Sequence, residues 1–155
     1  MNKNEFKEFC KKEFHKRGYQ KIKNMYYLPG LKNVLSGIKL QKSDYSDSYY
    51  VNCYFFIGNF EGISKAAYPT NYDYDVRIRI LVMSKTQKYK GKLIETAAIE
   101  YGEYTEEELR YYFDKEFENR ILPPVNEGKQ YILDNLNTLY VLDLRREEVT
   151  KKLQE

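Results

Sequence analysis

The chain has 155 residues, of which 42% are hydrophobic and 32% are charged. This length suits one domain of about 100 to 200 residues, and the composition excludes collagen-like, disordered and membrane-spanning proteins. Aromatic residues are abundant, with 17 Tyr and 8 Phe but no Trp. We therefore expect a single soluble domain over residues 1–155, whose core is filled largely by aromatic rings.

The formal net charge of +3 hides an uneven distribution of charge along the chain. Met1–Lys42 holds 11 Lys and Arg against 3 Glu, whereas Ser43–Glu155 holds 15 Lys and Arg against 20 Asp and Glu. A basic segment is typical of proteins that bind nucleic acid or an anionic membrane surface. Because the lysines alternate with apolar positions, we favour the solvated face of an amphipathic helix instead.

Cysteine usage and the amino terminus indicate the cellular compartment. Cys10 and Cys53 belong to no CxxC motif and to no Cys/His cluster, so we expect two buried free thiols, with a single disulfide as the alternative. The first residues lack the apolar core of a secretion signal, and no apolar run approaches the roughly 20 residues of a membrane helix. We therefore expect a cytoplasmic protein that does not bind a membrane.

An amphipathic helix is the first element that the sequence predicts. Apolar side chains recur at helical spacing up to a helix end near Arg17, namely at Phe6, Phe9, Cys10 and Phe14. The pattern then changes to short stretches of rings and β-branched residues between turn residues, which is typical of antiparallel strands. We expect strands over Tyr19–Leu28, Val34–Lys42 and Tyr49–Ile57.

A long connection and two further strands are expected next. Asn59–Asp75 shows no sustained period and is predicted to be a loop, whose Tyr68, Tyr72 and Tyr74 either bind a partner or cover an open sheet face. In the following strand, from Val76 to Met83, apolar residues alternate with arginines. Leu93–Ile99 fits a strand or a short helix, and we prefer the strand.

The last third of the chain is predicted to be helical. Thr105 and Glu108 form a capping box for a helix that should end at Pro123-Pro124. A shorter helix is expected over Asn126–Leu136 and a terminal helix after Asp143. The predicted fold class is α+β, with an N-terminal helix, an antiparallel sheet of about four to five strands and C-terminal helices packed on one face.

The alternation of side chains along the strands identifies a candidate binding face. If the apolar sides face the helices, the other face displays polar and aromatic side chains together. These candidate binding residues are Lys39, Gln41, Tyr50, Asn52, Tyr54, Arg77 and Arg79. Tyr combines apolar area with a polar tip, and Arg pairs with carboxylate or phosphate in a bidentate manner. In the alternative interpretation, the rings fill a two-sided sheet and the arginines pair with Asp73, Asp75 or the acidic helix.

No motif points to catalysis, to a metal or to a cofactor. His15 is the only imidazole, and we interpret it as a polar residue near a helix end. The acidic run from Glu106 to Glu108 is explained by the helix dipole, and the scattered glycines form no phosphate loop. We therefore expect no catalytic residues, no metal site and no cofactor.

Several short motifs resemble those of a known family. They are Gly18-Tyr19, Tyr26-Tyr27, the run from Ile38 to Ser43, and Tyr50-Val51-Asn52. Through them, the stretch from Gly18 to Gly58 resembles the bacterial family defined as domain of unknown function 4304. Arg77 and Arg79 match two arginines of a later strand in that family, where Asp75 replaces a His. The resemblance implies a fold and no chemistry.

The expected function is that of a non-catalytic cytosolic protein that binds another protein through the sheet face or the long loop. Fold-level analogy suggests toxin neutralisation or defence as the setting. The alternative is a nucleic-acid-binding protein that uses the basic N-terminal segment and the Tyr/Arg face, with strongly salt-dependent binding. An enzyme has the least support, because no motif places two chemically competent groups together.

Overall fold

A five-stranded antiparallel sheet forms the centre of the protein. The computed structural model describes residues 1–30, 33–142 and 146–155. The strands follow one another across the sheet in chain order, which makes it a simple meander. They are β1 (Gln20–Ile22), β2 (Met25–Pro29), β3 (Val34–Lys42), β4 (Tyr49–Ile57) and β5 (Val76–Arg79). Together with the helices that precede and follow it, this sheet confirms the predicted α+β fold.

Helix α1 (Lys3–Lys16) precedes the sheet and begins with the capping box that Asn2 and Glu5 form. The Asn2 Oδ1 atom accepts a hydrogen bond from the Glu5 amide at 2.8 Å, and the Glu5 carboxylate accepts one from the Asn2 amide at 3.0 Å. The apolar face of α1 is buried against the sheet through Phe6, Phe9, Cys10 and Phe14. The helix and its predicted buried face are thus confirmed.

The chain leaves the sheet after β5 and forms a hairpin followed by helices. The hairpin of β6 (Val82–Tyr89) and β7 (Lys92–Thr96) is a separate two-stranded sheet. The helical elements are α2 (Glu106–Glu116), a π-helical turn (Phe117–Ile121), α3 (Leu122–Glu127), α4 (Lys129–Asp134) and α5 (Arg146–Gln154). None of the helices in the described ranges is long and apolar enough to cross a membrane.

Two predicted strands have the wrong extent. The stretch Tyr19–Leu28 is two strands rather than one, because Lys23 adopts a left-handed φ of 58° and turns β1 back onto β2. The strand that was expected from Val76 to Met83 ends at Arg79, and Val82 already belongs to the separate hairpin. The preference for a strand over Leu93–Ile99 is correct in kind, but β7 ends at Thr96.

The helix that begins at Glu106 does not end at the prolines as predicted. After α2 the backbone widens into the π-helical turn, and Pro123 and Pro124 lie in the first turn of α3. Proline has no amide hydrogen to donate to the preceding turn, and the π-helical turn lies directly before the two prolines. Gly128, with a φ of 92°, separates α3 from α4. The terminal helix is present as α5, while Asp143 lies outside the described residues.

The main hydrophobic cluster lies between the sheet and the helices. From β4 it receives Val51, Cys53, Phe55 and Ile57, and from the helices the rings of Phe9, Phe14, Phe113 and Phe117. Both cysteines are free and buried, as expected, and burial raises the pKa of each thiol. Buried thiols with a raised pKa are unreactive, so these two side chains act as core residues.

Gly30 is held against α3, and this contact leads to a first prediction. A Cβ at position 30 would lie 2.8 Å from both the Cα and the carbonyl oxygen of Val125. Because backbone atoms cannot rotate away, we expect Gly30→Ala to lower the free energy of unfolding by about 1–3 kcal/mol, measured by urea denaturation. Gly102→Ala is the control, since its nearest contact is 4.0 Å away. Equal stability of the two variants would contradict the prediction.

A second prediction concerns the buried carboxylate of Glu13 in α1. Burial opposes its charge, but hydrogen bonds from Lys16 at 3.0 Å and Arg17 at 3.1 Å outweigh burial and lower the pKa of Glu13. A carboxylate whose pKa is lower in the folded state stabilises the protein above its unfolded pKa, about 4.3. This stabilisation is lost as the pH falls through the lowered folded-state pKa.

We therefore expect Glu13→Gln to lose on the order of 3 kcal/mol of stability at pH 7, because the largely buried side chain of Arg17 loses its charged partner. Between pH 5 and pH 2, roughly the range over which such a carboxylate titrates, its stability should vary less than that of the wild type. Chemical denaturation at several pH values measures both effects. Glu8→Gln, at an exposed position of the same helix, is the matched control. A Glu13→Gln curve parallel to the wild type would refute the assignment.

Candidate functional site

The seven candidate residues lie on one face of the sheet, as the alternation predicts. Between β3 and β4, Lys39 is opposite Asn52 and Gln41 is opposite Tyr50. Between β4 and β5, Asn52 is opposite Arg79 and Tyr54 is opposite Arg77. Directly opposed residues of antiparallel strands share a face, and so do residues two positions apart. We call this set, Lys39, Gln41, Tyr50, Asn52, Tyr54, Arg77 and Arg79, the polar face.

A hydrogen-bonded chain of three side chains crosses the polar face at its centre. The Asn52 Nδ2 atom donates to Gln41 Oε1 at 2.9 Å, and Arg79 Nε donates to Asn52 Oδ1 at 2.9 Å. A longer contact of 3.5 Å joins Arg79 Nη2 to Gln41 Oε1. Asn52 is only 2% exposed, so these bonds satisfy an amide that has little access to water. They also hold the guanidinium of Arg79 in one orientation.

The guanidinium of Arg79 is also stacked on a ring. Its Cζ atom lies 4.2 Å from the centroid of the Tyr50 ring, which is within the range of a cation–π contact. Burial and, to a smaller extent, the nearby charge of Arg77 lower the pKa of Arg79. An arginine nevertheless stays protonated in proteins, so the charge is retained. Partial burial without loss of charge makes Arg79 a strong donor to an anionic group.

Asp75, one of the carboxylates expected near these arginines, is engaged elsewhere. Asp75 is buried, where its Oδ2 atom accepts from the Ile57 amide and its Oδ1 atom pairs with Lys152 Nζ, both at 2.7 Å. Within the described ranges, neither Arg77 nor Arg79 forms an ion pair with an acidic side chain. The alternative in which Asp73, Asp75 or the acidic helix neutralises them is therefore wrong for this part of the chain.

The long loop covers one end of this sheet face. Its rings Phe60, Tyr68 and Tyr74 pack on a second apolar cluster, which consists of Met25, Tyr27, Leu35, Tyr54 and Phe56. The Tyr74 ring lies 5.4 Å from the Tyr54 ring, and Tyr54 is only 5% exposed. The expectation that the whole face is displayed is therefore wrong for Tyr54. The exposed or half-exposed members of the polar face are Lys39, Gln41, Tyr50, Arg77 and Arg79.

A cavity of about 200 Å³ adjoins the polar face at Lys39. It lies between the β1–β2 hairpin and the loop, and its walls include Lys23, Lys65 and Tyr68. Sequence reasoning noted the loop tyrosines but missed Lys23 and Lys65. Neither lysine carries a local signal, because the cavity exists only where a loop distant in sequence folds over the hairpin.

The polar face presents cationic, amide and phenolic groups. Arginine, asparagine and glutamine make up four of its seven side chains, and none of these three residue types is an efficient general base or nucleophile at neutral pH. Across the residues with a described placement, no three His, Cys, Asp or Glu side chains are grouped so that they could hold a metal ion. The face offers an incoming molecule two guanidinium groups, that of Arg79 over the Tyr50 ring and that of Arg77 5.9 Å from the centroid of the Tyr74 ring.

The chain also matches a known family over nearly its whole length. Residues 10–154 match the family model described as "Domain of unknown function (DUF4304)". Neither the curated proteins nor the solved structures provided a match. The family match extends the resemblance seen between Gly18 and Gly58 to the C-terminal helices, and it includes all seven residues of the polar face. The chain therefore belongs to the DUF4304 family.

Proposed function

We propose that the chain is a non-catalytic binding protein whose polar face receives an acidic segment of a partner protein. The observation that supports this proposal most directly is the pair Arg77 and Arg79, which share one face and have no carboxylate partner among the described residues. A guanidinium is a fixed fork of donors that matches a carboxylate. Arg79 on Tyr50 and Arg77 near the Tyr74 ring provide two such forks, which suit Asp or Glu side chains of a partner.

The rigidity of Arg79 adds to the expected affinity. Its guanidinium is held by Asn52 and stacked on Tyr50 before any partner arrives. A side chain that is already ordered loses less conformational entropy on binding, and interfaces that are preorganised in this way bind more tightly. Arginine and tyrosine are also enriched among the residues that carry most of the binding energy at interfaces.

The distribution of basic residues favours a protein partner over a nucleic acid. Helix α1, which carries much of the basic N-terminal segment, packs on the opposite side of the sheet from the polar face. The two basic regions therefore do not form one continuous path for a phosphate backbone. In addition, Lys16 and Arg17 of the basic segment already form ion pairs with Glu13 of the same helix region.

We also propose a cytoplasmic location, in agreement with two cysteines that are free and buried. Disulfides are common in secreted domains and rare in the cytosol. Neutralisation of a toxin or a role in defence would be a particular case of the proposed protein binding, with the acidic segment supplied by the toxin or the defence partner.

A third prediction tests the arginine pair with a defined acidic probe. We expect a hexaglutamate peptide to bind the wild type and to shift the side-chain NMR signals of Arg77 and Arg79, whereas hexaglutamine should not bind. Arg77→Gln should weaken binding about tenfold, which corresponds to the loss of about 1.4 kcal/mol. The affinity of Arg77→Lys should lie between those of the wild type and Arg77→Gln, because lysine keeps the positive charge but lacks the planar set of guanidinium donors. Lys88→Gln, on the separate hairpin, is the matched control.

Equal affinity of Arg77→Gln and the wild type for hexaglutamate would contradict the proposal. A duplex oligonucleotide provides the comparison with the alternative function. If the oligonucleotide binds more tightly than the peptide and its affinity falls steeply between 50 and 200 mM salt, roughly the interval over which phosphate contacts weaken most visibly, the nucleic-acid function is favoured.

A fourth prediction concerns Asn52 as a positioning residue. Asn52→Ala leaves Arg79 Nε and Gln41 Oε1 without the partner between them, so we expect a loss of about 1–3 kcal/mol in the free energy of unfolding. It should also weaken hexaglutamate binding, because Arg79 is no longer held in place. Chemical denaturation and peptide titration measure the two effects. Asn126→Ala, at an exposed position of α3, is the control. Unchanged peptide affinity in Asn52→Ala would mean that Arg79 needs no support.

A further inference from the structure

The cavity between the β1–β2 hairpin and the loop has an apolar wall that is built from buried side chains. Met25 and Tyr27 of β2 are 3% and 5% exposed, and the Tyr68 ring lies 5.3 Å from the Tyr27 ring in an edge-on arrangement. The Tyr27 hydroxyl donates to the carbonyl oxygen of Pro69 at 2.7 Å. This bond ties the loop to the strand and keeps the cavity walls together.

The remainder of the wall includes three lysines. Lys23, Lys39 and Lys65 line the cavity, and the lining residues with a described placement include no Asp or Glu. The Lys39 Nζ atom donates to Asn71 Oδ1 at 3.4 Å and the Lys65 Nζ atom to Gln20 Oε1 at 2.7 Å. Both acceptors are neutral amides, and none of the three lysines forms an ion pair within the described ranges. Three lysines therefore line one cavity without a compensating carboxylate among the described lining residues.

We propose that this cavity binds a small carboxylate that carries a single aromatic ring. A cavity of about 150 Å³ lined by apolar side chains holds one benzene molecule, and the volume of about 200 Å³ leaves room for a carboxylate as well. The ring lies against Met25, Tyr27 and Tyr68, and the carboxylate faces the lysines. Of the described lining residues, Lys39 alone belongs to the polar face. The site is thus separate from the proposed protein-binding function.

The three methionines of the chain provide a direct test by NMR. With ¹³C-labelled methionine methyl groups, Met25 reports from the cavity, while Met1 and Met83 report from elsewhere. We expect benzoate to shift the Met25 methyl signal saturably, with a Kd of about 1 mM or lower. Benzamide, which has the ring without the charge, and acetate, which has the charge without the ring, should bind at least tenfold more weakly.

Substitutions of the lining lysines test whether their charge contributes to benzoate binding. Lys23→Gln and Lys65→Gln change exposed side chains, and each should weaken benzoate binding severalfold, whereas Lys88→Gln on the separate hairpin should not. Arg77→Gln should leave benzoate binding unchanged, so failure of this site and failure of the polar face are distinguishable. The inference is overturned if benzoate shifts all three methyl groups alike or does not shift Met25. It is also overturned if benzamide binds as well as benzoate.

Discussion

Strand β4 is buried on both of its faces, and most of the structure follows from this constraint. Its neighbours β3 and β5 form hydrogen bonds with its backbone on either side. The residues of β4 are almost all inaccessible to solvent. One face carries Val51, Cys53 and Phe55, which the helices cover. The other carries Tyr54 and Phe56, and here the long loop supplies the cover with its own rings. A strand with apolar residues on both sides requires two covering layers, and the chain provides them with different kinds of element.

The rings of the loop cover the polar face at Tyr54, beside its centre. At this point β4 carries Asn52, which lies between its neighbouring strands and has little access to water. A buried amide must be hydrogen-bonded, and Gln41 and Arg79 on the adjacent strands provide the bonds. The orientation of the arginine is therefore a consequence of the need to satisfy the amide. Its charge, however, is not neutralised by the amide and is available to a partner.

The loop also encloses the cavity, which adjoins the polar face at Lys39. Its Pro69 carbonyl is bonded to Tyr27, and its Lys65 side chain reaches Gln20 on β1. The same segment thus limits the polar face at one end and completes a cationic cavity at the other. Both features combine rings with lysine or arginine, and both have more positive than negative charge. Acidic ligands are the common expectation for the two sites, whether the carboxylate belongs to a protein or to a small molecule.

Local patterns of residues were sufficient to predict the helix faces, the strands and the membership of the polar face. These properties depend on periods of 3.6 and 2 residues, which are visible in any short stretch. The same patterns were misleading at Lys23 and at Pro123, where a left-handed residue and a π-helical turn alter the path of the backbone. Contacts between distant parts of the chain decided which charges remain unpaired. Asp75 forms an ion pair with Lys152, which lies 77 positions away in the sequence. No local pattern indicates that this lysine, rather than Arg77, lies close enough to pair with Asp75.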